Sequence, residues 1–338
     1  MKWTALPVLA ISTVLSWSAN AADQELNLYS ARKAELIEPL LEKFTAQSGI
    51  KVNLVTGKDD ALLQRLKSEG ELSPADMLIT ADAARLQRAK EAGLFQAIDS
   101  DTLKQRIPTY LRDDEQQWFG LSQRARVIFY NPETVKPEQL STYEALADDA
   151  WKGRVCIRSS SNVYNQSLVA AMIDDLGAER TQQWANDFVD SFARPPAGGD
   201  TDQIRALAAG QCDVAVANTY YYGRMLKSDG EDKQLAEKVA LFWPNQEGRG
   251  THVNVSGAGV TTSAKNKEAA IKLLEFMVSD AAQKWYAEVN NEFPVVKGVE
   301  LDPVVAAWGE FKADDVPLST LGENNRQAVK LMDRAGWR

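Results

Sequence analysis

The sequence predicts an α/β protein with two domains. Short apolar runs alternate with longer amphipathic stretches, which is the pattern of strand–helix units on a largely parallel sheet. The length of 338 residues exceeds what one hydrophobic core usually organises, since single cores stop growing at roughly 250–300 residues. Hydrophobic residues make up 44% of the chain and charged residues 25%, so the composition is that of an ordinary globular protein.

Three strand–helix units predict the first open α/β domain. Apolar residues recur at helical spacing after the first strand until Gly49, and Gly70 and Gly93 end the next two helices. The units are strand 26–29 with helical spacing over 36–44, strand 52–55 with helix 61–69, and strand 77–80 with helix 83–92.

A second series of strands and helices predicts the second domain and the segments that follow it. The segment between the two series is not rich in Gly or Ser, so we expect strands rather than a flexible tether to join the domains. The predicted strands are 127–130, 155–158, 214–217, 239–242 and 253–261, and the predicted helical segments are 167–176, 200–209, 268–278, 281–289 and 318–332.

The first 21 residues predict an export signal. Lys2 supplies a charged start, residues 6–17 are mostly apolar, and Ala19 and Ala21 give the small-x-small form of a cleavage site. The mature protein should therefore begin near Ala22. No later segment approaches the roughly 20 apolar residues of a membrane span, so we expect a soluble exported protein.

Charge and missing motifs narrow the function. A formal net charge of -9 argues against nucleic acid and anionic lipid as partners. The chain has no phosphate-cradling loop, no GxSxG, no HExxH and no Cys/His zinc spacing, and His252 is its only histidine. We therefore expect a protein that is not an enzyme, although carboxylate pairs for acid–base chemistry could not be located from sequence.

Cys156 and Cys212 are the two cysteines of the chain. An even count in an exported protein predicts a disulfide, with two buried thiols as the alternative.

Three consecutive tyrosines, Tyr220 to Tyr222, are the most unusual local feature. Each buried phenol needs a hydrogen-bond partner, whereas a hard cation prefers oxygen ligands and can remove the phenol proton. If the run opens a helix, neighbouring side chains diverge by about 100° and two of them can hold one ion. The alternative is an aromatic packing interface, and the spacing does not say which two would bind.

A further tyrosine, Tyr164, lies in the polar loop 159–165. Three serines and two asparagines surround it, which favours a supporting polar shell or an anion nest near a site. The alternative is a helix N-cap cluster with an incidental aromatic residue.

Five motifs together resemble the periplasmic ferric-ion-binding proteins of iron ABC importers, a bacterial transferrin-like group. The resemblance runs through essentially the whole mature chain and keeps the motifs in order. They are Leu-Tyr-Ser-Ala-Arg at 28–32, Pro-Ala-Asp-Met at 74–77, Gly-Leu-Ser with Arg-Ala-Arg-Val over 120–127, the Tyr164 loop, and Ala-Asn-Thr-Tyr-Tyr at 217–221.

This resemblance implies a two-lobe type II periplasmic-binding-protein fold. Each lobe would be a mixed, mostly parallel sheet flanked by helices, with the ligand in the cleft between the lobes. The expected division is residues 1–21 for the signal peptide, 22–122 with about 250–298 for the N-lobe, and 123–249 with about 299–338 for the C-lobe.

The resemblance also implies the ligand set. Tyr164, Tyr220 and Tyr221 match the family's phenolate ligands of Fe³⁺, and three phenolates would neutralise that charge. Some members add a His or a His-Tyr pair where this chain has Lys33 and Ala34, and others add a Glu where it has Ala81. The remaining coordination would then fall to an exogenous anion such as carbonate. Arg32 is the first candidate to bind that anion and Arg124 the second.

The expected function is that of a monomeric periplasmic solute-binding protein, which captures ferric iron and delivers it to an inner-membrane ABC permease and its ATPase. The alternative in the same class is a two-lobe carrier of an oxyanion or small organic solute. An exported enzyme is the alternative from another class.

Overall fold

The computed structural model describes residues 25–338, so the predicted signal peptide lies outside the described residues. The described chain forms one sheet of eight strands flanked by helices. The strands are β1 (Glu25–Ser30), β2 (Lys51–Thr56), β3 (Met77–Ala81), β4 (Phe119–Tyr130), β5 (Val155–Cys156), β6 (Val214–Asn218), β7 (Ala240–Phe242) and β8 (Val253–Val260).

The α-helices lie on the faces of this sheet and join its strands. In chain order they are α1 (Glu38–Ser48), α2 (Asp59–Glu69), α3 (Ala83–Glu91), α4 (Asp101–Arg106), α5 (Val163–Leu176), α6 (Ala178–Val189), α7 (Asp200–Ala208), α8 (Thr219–Leu226), α9 (Glu231–Ala236), α10 (Lys267–Met277), α11 (Asp280–Asn290), α12 (Pro303–Ala306), α13 (Ser319–Glu323) and α14 (Asn325–Arg334). Within residues 25–338 no helix is long and apolar enough to span a membrane.

The sheet is mixed, as the resemblance implies, and its strand order is β2-β1-β3-β8-β4-β6-β5, with β7 also paired to β4. β1 runs parallel to β2 and β3, and β5 runs parallel to β6. The pairs that involve β4 or β8 are antiparallel. Two groups of outer strands are thus joined through β4 and β8 at the centre.

Strand β4 connects the two halves. Its residues 119–125 pair with β8, and residues 126–130 pair with β6 and β7. The sequence pattern predicted only 127–130, because Ser122, Gln123, Arg124 and Arg126 interrupt the apolar alternation. All four are nevertheless buried. The physical reason is that these polar side chains make their polar contacts inside the protein rather than with water. A search for alternating apolar residues does not detect this kind of burial.

The apolar cores follow the two halves of the sheet. One cluster packs β1 and β3 with α1, α3 and α10, and two further clusters pack β5 and β6 with α5, α6, α7 and α8. Leu318 and Leu321, near α13, belong to the first of these clusters. The division of the chain into two lobes at the stated residues stays a prediction.

A disulfide joins Cys156 at the end of β5 to Cys212 just before β6. The predicted bridge is therefore confirmed. It links two segments whose strands already pair in parallel, within the second half of the protein.

Candidate functional site

Two helix N-termini bring three of the predicted tyrosines together. Tyr164 is the second residue of α5. Its backbone N–H donates a hydrogen bond of 3.0 Å to the side-chain oxygen of Asn162, the N-cap residue of this helix. Tyr220 is the second residue of α8, which begins directly after β6. The hydroxyl of Tyr220 donates to the hydroxyl of Tyr164 at 3.2 Å, although the residues are 56 positions apart.

Tyr221 stands beside this pair, and Tyr222 does not. The rings of Tyr220 and Tyr221 have centroids 4.2 Å apart with planes tilted by 32°. Tyr222 instead donates its hydroxyl to the carbonyl oxygen of Val239 at 3.1 Å and packs its ring on Phe129 at 5.0 Å. Of the three consecutive tyrosines, Tyr222 is thus the one whose hydroxyl bonds to the core, while Tyr220 and Tyr221 lie next to each other near Tyr164.

Guanidinium groups surround the phenols. The Arg124 guanidinium lies 5.2 Å from the ring centre of Tyr220 and 5.9 Å from that of Tyr164. Arg158 lies 5.6 Å from the Tyr164 ring, and Arg224 lies 5.7 Å from the Tyr220 ring. Positive charge at these distances favours phenolate over phenol.

Burial raises the pKa of two of these phenols, those of Tyr164 and Tyr220. It raises the pKa of Tyr164 to about 12, and the opposing effect of Arg124 is smaller. Burial, together with the neighbouring phenols Tyr164 and Tyr221, raises the pKa of Tyr220 well above its ordinary value. A ligand that binds these oxygens as phenolates must therefore displace protons.

A buried polar network fixes the two helix ends relative to each other. The Asp200 carboxylate accepts from the backbone N–H of Asn218 at 2.8 Å and from Arg126 at 3.2 Å. Arg126 also donates to the side-chain oxygens of Asn218 at 2.9 Å and Asn165 at 2.6 Å. From the sequence, neither Asp200 nor Arg126 was assigned a role in the site. An isolated Asp at a helix start and an Arg within a strand form no pattern that would indicate such a role.

The two predicted anion-binding arginines lie on either side of a carboxylate that the sequence analysis did not single out. Arg32 donates to Glu292 at 2.6 and 3.4 Å and to the hydroxyl of Ser122 at 2.8 Å. The aromatic ring it contacts is Tyr286, at 5.0 Å. Arg124 lies 3.5 Å from Oε1 of Glu292, which also accepts from Arg32 at 3.4 Å, and so connects this group to the tyrosines. Glu292 lies 260 positions after Arg32, so no local signal could have paired them.

The first half of the protein contributes a second unexpected residue, Asp82. It follows Ala81 directly, has a positive φ of 81° and is fully buried. Its carboxylate accepts from the hydroxyl of Ser167 on α5 at 2.7 Å and from the backbone N–H of Ala84 at 3.0 Å. Lys33, by contrast, is exposed and pairs with Glu35 at 3.6 Å. Among residues 25–338 no group of three or more His, Cys, Asp or Glu is placed to hold a metal ion.

Comparisons with known proteins point to one group. Residues 40–313 match the profile of the bacterial extracellular solute-binding proteins. Iron uptake protein A1 of Synechocystis sp. is 53% identical over an alignment of 346 positions, which covers 99% of this chain and 96% of that protein. A solved Trichodesmium structure in complex with iron and citrate ligands superposes with a TM-score of 0.91 at 53% identity, covering 93% of this chain and 100% of that one. The ferric binding protein from Campylobacter jejuni gives a TM-score of 0.87 at 40% identity, covering 93% and 100%.

Proposed function

The chain belongs to the bacterial extracellular solute-binding proteins, in the group that contains the iron uptake and ferric iron-binding proteins, and we propose that it carries ferric iron in the periplasm. An inner-membrane ABC permease and its ATPase would receive the iron. The mature protein would be a monomer released by cleavage near Ala21 and would perform no catalysis of its own.

The observation that carries this proposal is the meeting of Tyr164, Tyr220 and Tyr221. The hydroxyls of Tyr164 and Tyr220 are 3.2 Å apart, and the ring of Tyr221 packs against that of Tyr220 at 4.2 Å. Oxygen is the donor that a hard ferric ion prefers, and Tyr is a known iron ligand. Three phenolates would balance the charge of Fe³⁺, which offsets the cost of holding that charge away from water.

An oxyanion would complete the coordination, bound by Arg32 and Arg124. A guanidinium binds planar oxyanions through two parallel N–H groups. Carbonate fits this description, and so does a carboxylate group of citrate, which accompanies iron in the Trichodesmium structure. The proposal therefore commits to a small anion with planar oxygen groups and leaves the choice between carbonate and citrate to experiment.

The test is the visible spectrum of the purified protein with ferric iron. We expect phenolate-to-iron charge transfer to colour the wild-type protein, and we expect Tyr221→Phe to bleach or shift the band because one phenolate is lost. Tyr222→Phe is the matched control, since that hydroxyl bonds to Val239. An unchanged spectrum in Tyr221→Phe would refute the assignment of this residue as a ligand.

A further inference from the structure

Arg32, Arg124 and Glu292 form a buried charge group at the centre of the sheet. The exposed fractions of their side chains are 9%, 4% and 5%. Arg32 follows β1, Arg124 lies on β4, and Glu292 follows α11. The group therefore joins segments from three distant parts of the chain, directly beside the tyrosine site.

Glu292 uses the same donors that an oxyanion would need. Arg32 presents Nη1 and Nη2 to the two carboxylate oxygens, at 3.4 and 2.6 Å, in the fork geometry by which a guanidinium recognises a planar anion. The hydroxyl of Ser122 donates to the same carboxylate. An exogenous anion can take this fork only if Glu292 leaves it.

The main chain holds Glu292 at this place. Asn291 ends α11 in the left-handed conformation, with a φ of 56°. Phe293 and Gln123 of β4 exchange two backbone hydrogen bonds of 2.7 Å each. The backbone of Glu292 is thus fixed on both sides, so its carboxylate can leave the arginines only by rotation about the side-chain bonds.

The charges within this group do not balance. Two guanidiniums face one carboxylate, and the buried Nε atoms of both arginines find no hydrogen-bond partner among residues 25–338. Burial opposes ionisation of Glu292, but Arg32, Arg124 and Ser122 together hold the pKa of its carboxyl below its ordinary value. The two guanidiniums therefore have more hydrogen-bonding capacity than the single Glu292 carboxylate uses.

We propose that Glu292 is an internal competitor of the exogenous anion: its carboxylate occupies the Arg32–Arg124 pair in the iron-free protein and must be displaced when the anion binds. This inference rests on the proposed function for the identity of the anion site. Glu292 would set the anion affinity, because a competitor lowers the apparent affinity by the fraction of sites that it leaves open.

The test uses the full mature protein without iron, so that it does not depend on the tyrosines. Thermal unfolding of wild type and Glu292→Gln is followed while sodium bicarbonate or citrate is added, with sodium chloride at equal ionic strength as the reference. We expect Glu292→Gln to unfold at a lower temperature than wild type without anion, because two buried cations lose their countercharge. Bicarbonate or citrate should then raise the midpoint in a saturable way, with an apparent affinity roughly tenfold or more above that of wild type.

Two further variants control this result. Glu288→Gln changes a half-exposed carboxylate on α11 that lies near Lys284, and it should titrate like wild type. Arg32→Gln combined with Glu292→Gln should lose the gain in anion affinity, because the two parallel N–H donors of the Arg32 guanidinium are removed. If Glu292→Gln does not fold, Glu292→Asp keeps the charge on a shorter side chain, and its anion affinity should lie above that of wild type.

The proposal is overturned if Glu292→Gln, or Glu292→Asp in its place, binds bicarbonate and citrate no more tightly than wild type does, or is stabilised by them no more than by chloride. A failure of the iron function has a different signature. It would remove the colour of the iron-loaded protein and leave these iron-free titrations as predicted.

Discussion

At the scale of single residues, burial and neighbouring charges set the protonation of the side chains in the site. Tyr164 and Tyr220 are neutral in the iron-free protein because burial raises the pKa of each phenol, and cationic side chains lie above their rings. Under the proposed function, iron would exchange with the phenol protons. The neighbouring guanidiniums would then stabilise the phenolates that this exchange produces.

This exchange predicts proton release on binding. With three phenolate ligands, we expect about three protons per ferric ion at neutral pH, because each phenol that binds iron as a phenolate gives up its proton. Base uptake in a weakly buffered solution, after correction for hydrolysis of the iron salt, measures the number. Tyr221→Phe should release about one proton fewer. A count that does not change in this variant would contradict its role as a ligand.

His252 is a second residue whose protonation is fixed by burial. Burial lowers its pKa to about 3, and the nearby charges of Arg126 and Arg249 act in the same direction. The folded state therefore holds this imidazole neutral, whereas the unfolded chain takes up a proton below the ordinary pKa of about 6.5. The contribution of the neutral imidazole to stability is present above that pH and decreases as the pH falls from about 6.5 to 3.

His252→Gln should consequently weaken the pH dependence of stability. Between pH 6 and 4 we expect the free energy of unfolding to fall less steeply than in wild type, by at most about 1.4 kcal/mol per pH unit, which is the linkage of one proton. Urea denaturation at several pH values measures both slopes. Parallel curves for the two proteins would show that His252 does not titrate on unfolding.

Among the elements, helix α8 depends on close packing. Gly223 lies in its interior, where an added Cβ would be 2.9 Å from Cβ of Asn291 and 3.0 Å from the ring of Trp308. The Trp308 ring tip can move, but Cβ of Asn291 is bound to the main chain next to Glu292. Gly223 therefore lets α8, the helix that carries Tyr220 and Tyr221, approach the segment that carries Glu292.

Gly223→Ala tests this approach. Alanine in a helix usually gains about 0.5–1 kcal/mol over glycine, but overpacking costs roughly 1–3 kcal/mol, so we expect a net loss of stability. Gly248→Ala is the control, because its nearest atom would be an ordinary 3.7 Å away. Urea denaturation of the two variants gives the comparison. A Gly223→Ala protein more stable than wild type would mean that the helix is free to shift.

The elements also show how far pattern reading goes. The helices that precede Gly49, Gly70 and Gly177 end where apolar spacing and a terminal glycine predict, but α5 begins at Val163 rather than at 167 and so includes Tyr164, which was predicted in a loop. The first half of β4 escaped prediction, because its buried side chains are polar. Hydrophobic periodicity detects elements that bury apolar atoms, and it is silent where burial is balanced by hydrogen bonds and ion pairs.

At the scale of the whole molecule, the two halves are joined by β4 and β8 and touch across the site. The hydrogen bond between Asp82, the N-cap residue of α3, and Ser167 on α5 is one such contact, with a length of 2.7 Å. Asp82 is fully buried, and within the described residues its other oxygen has no hydrogen-bond partner. A structure in which the halves separate would lose this bond and expose the carboxylate to water.

Ser167→Ala should therefore favour separation of the halves. Losing a buried hydrogen bond to a carboxylate costs about 1.5–3 kcal/mol, so we expect iron to pass to a competing chelator about tenfold faster or more. The charge-transfer band should keep its position, because the phenol ligands are unchanged. Stopped-flow transfer to a chelator measures the rate. An unchanged rate would show that this bond does not hold the halves together.

The sequence by itself predicted the α/β class, the positions of most elements and the disulfide, and its resemblance to a known family named Tyr164, Tyr220 and Tyr221 as candidate ligands. These properties are local, or they belong to residues of a recognisable type and spacing. Only the tertiary structure brought Tyr164 against Tyr220, turned Tyr222 into the core, and placed Glu292 between Arg32 and Arg124. The physical reason is that a buried charge is stable only beside its partner, and the partner's position along the chain is set by the fold.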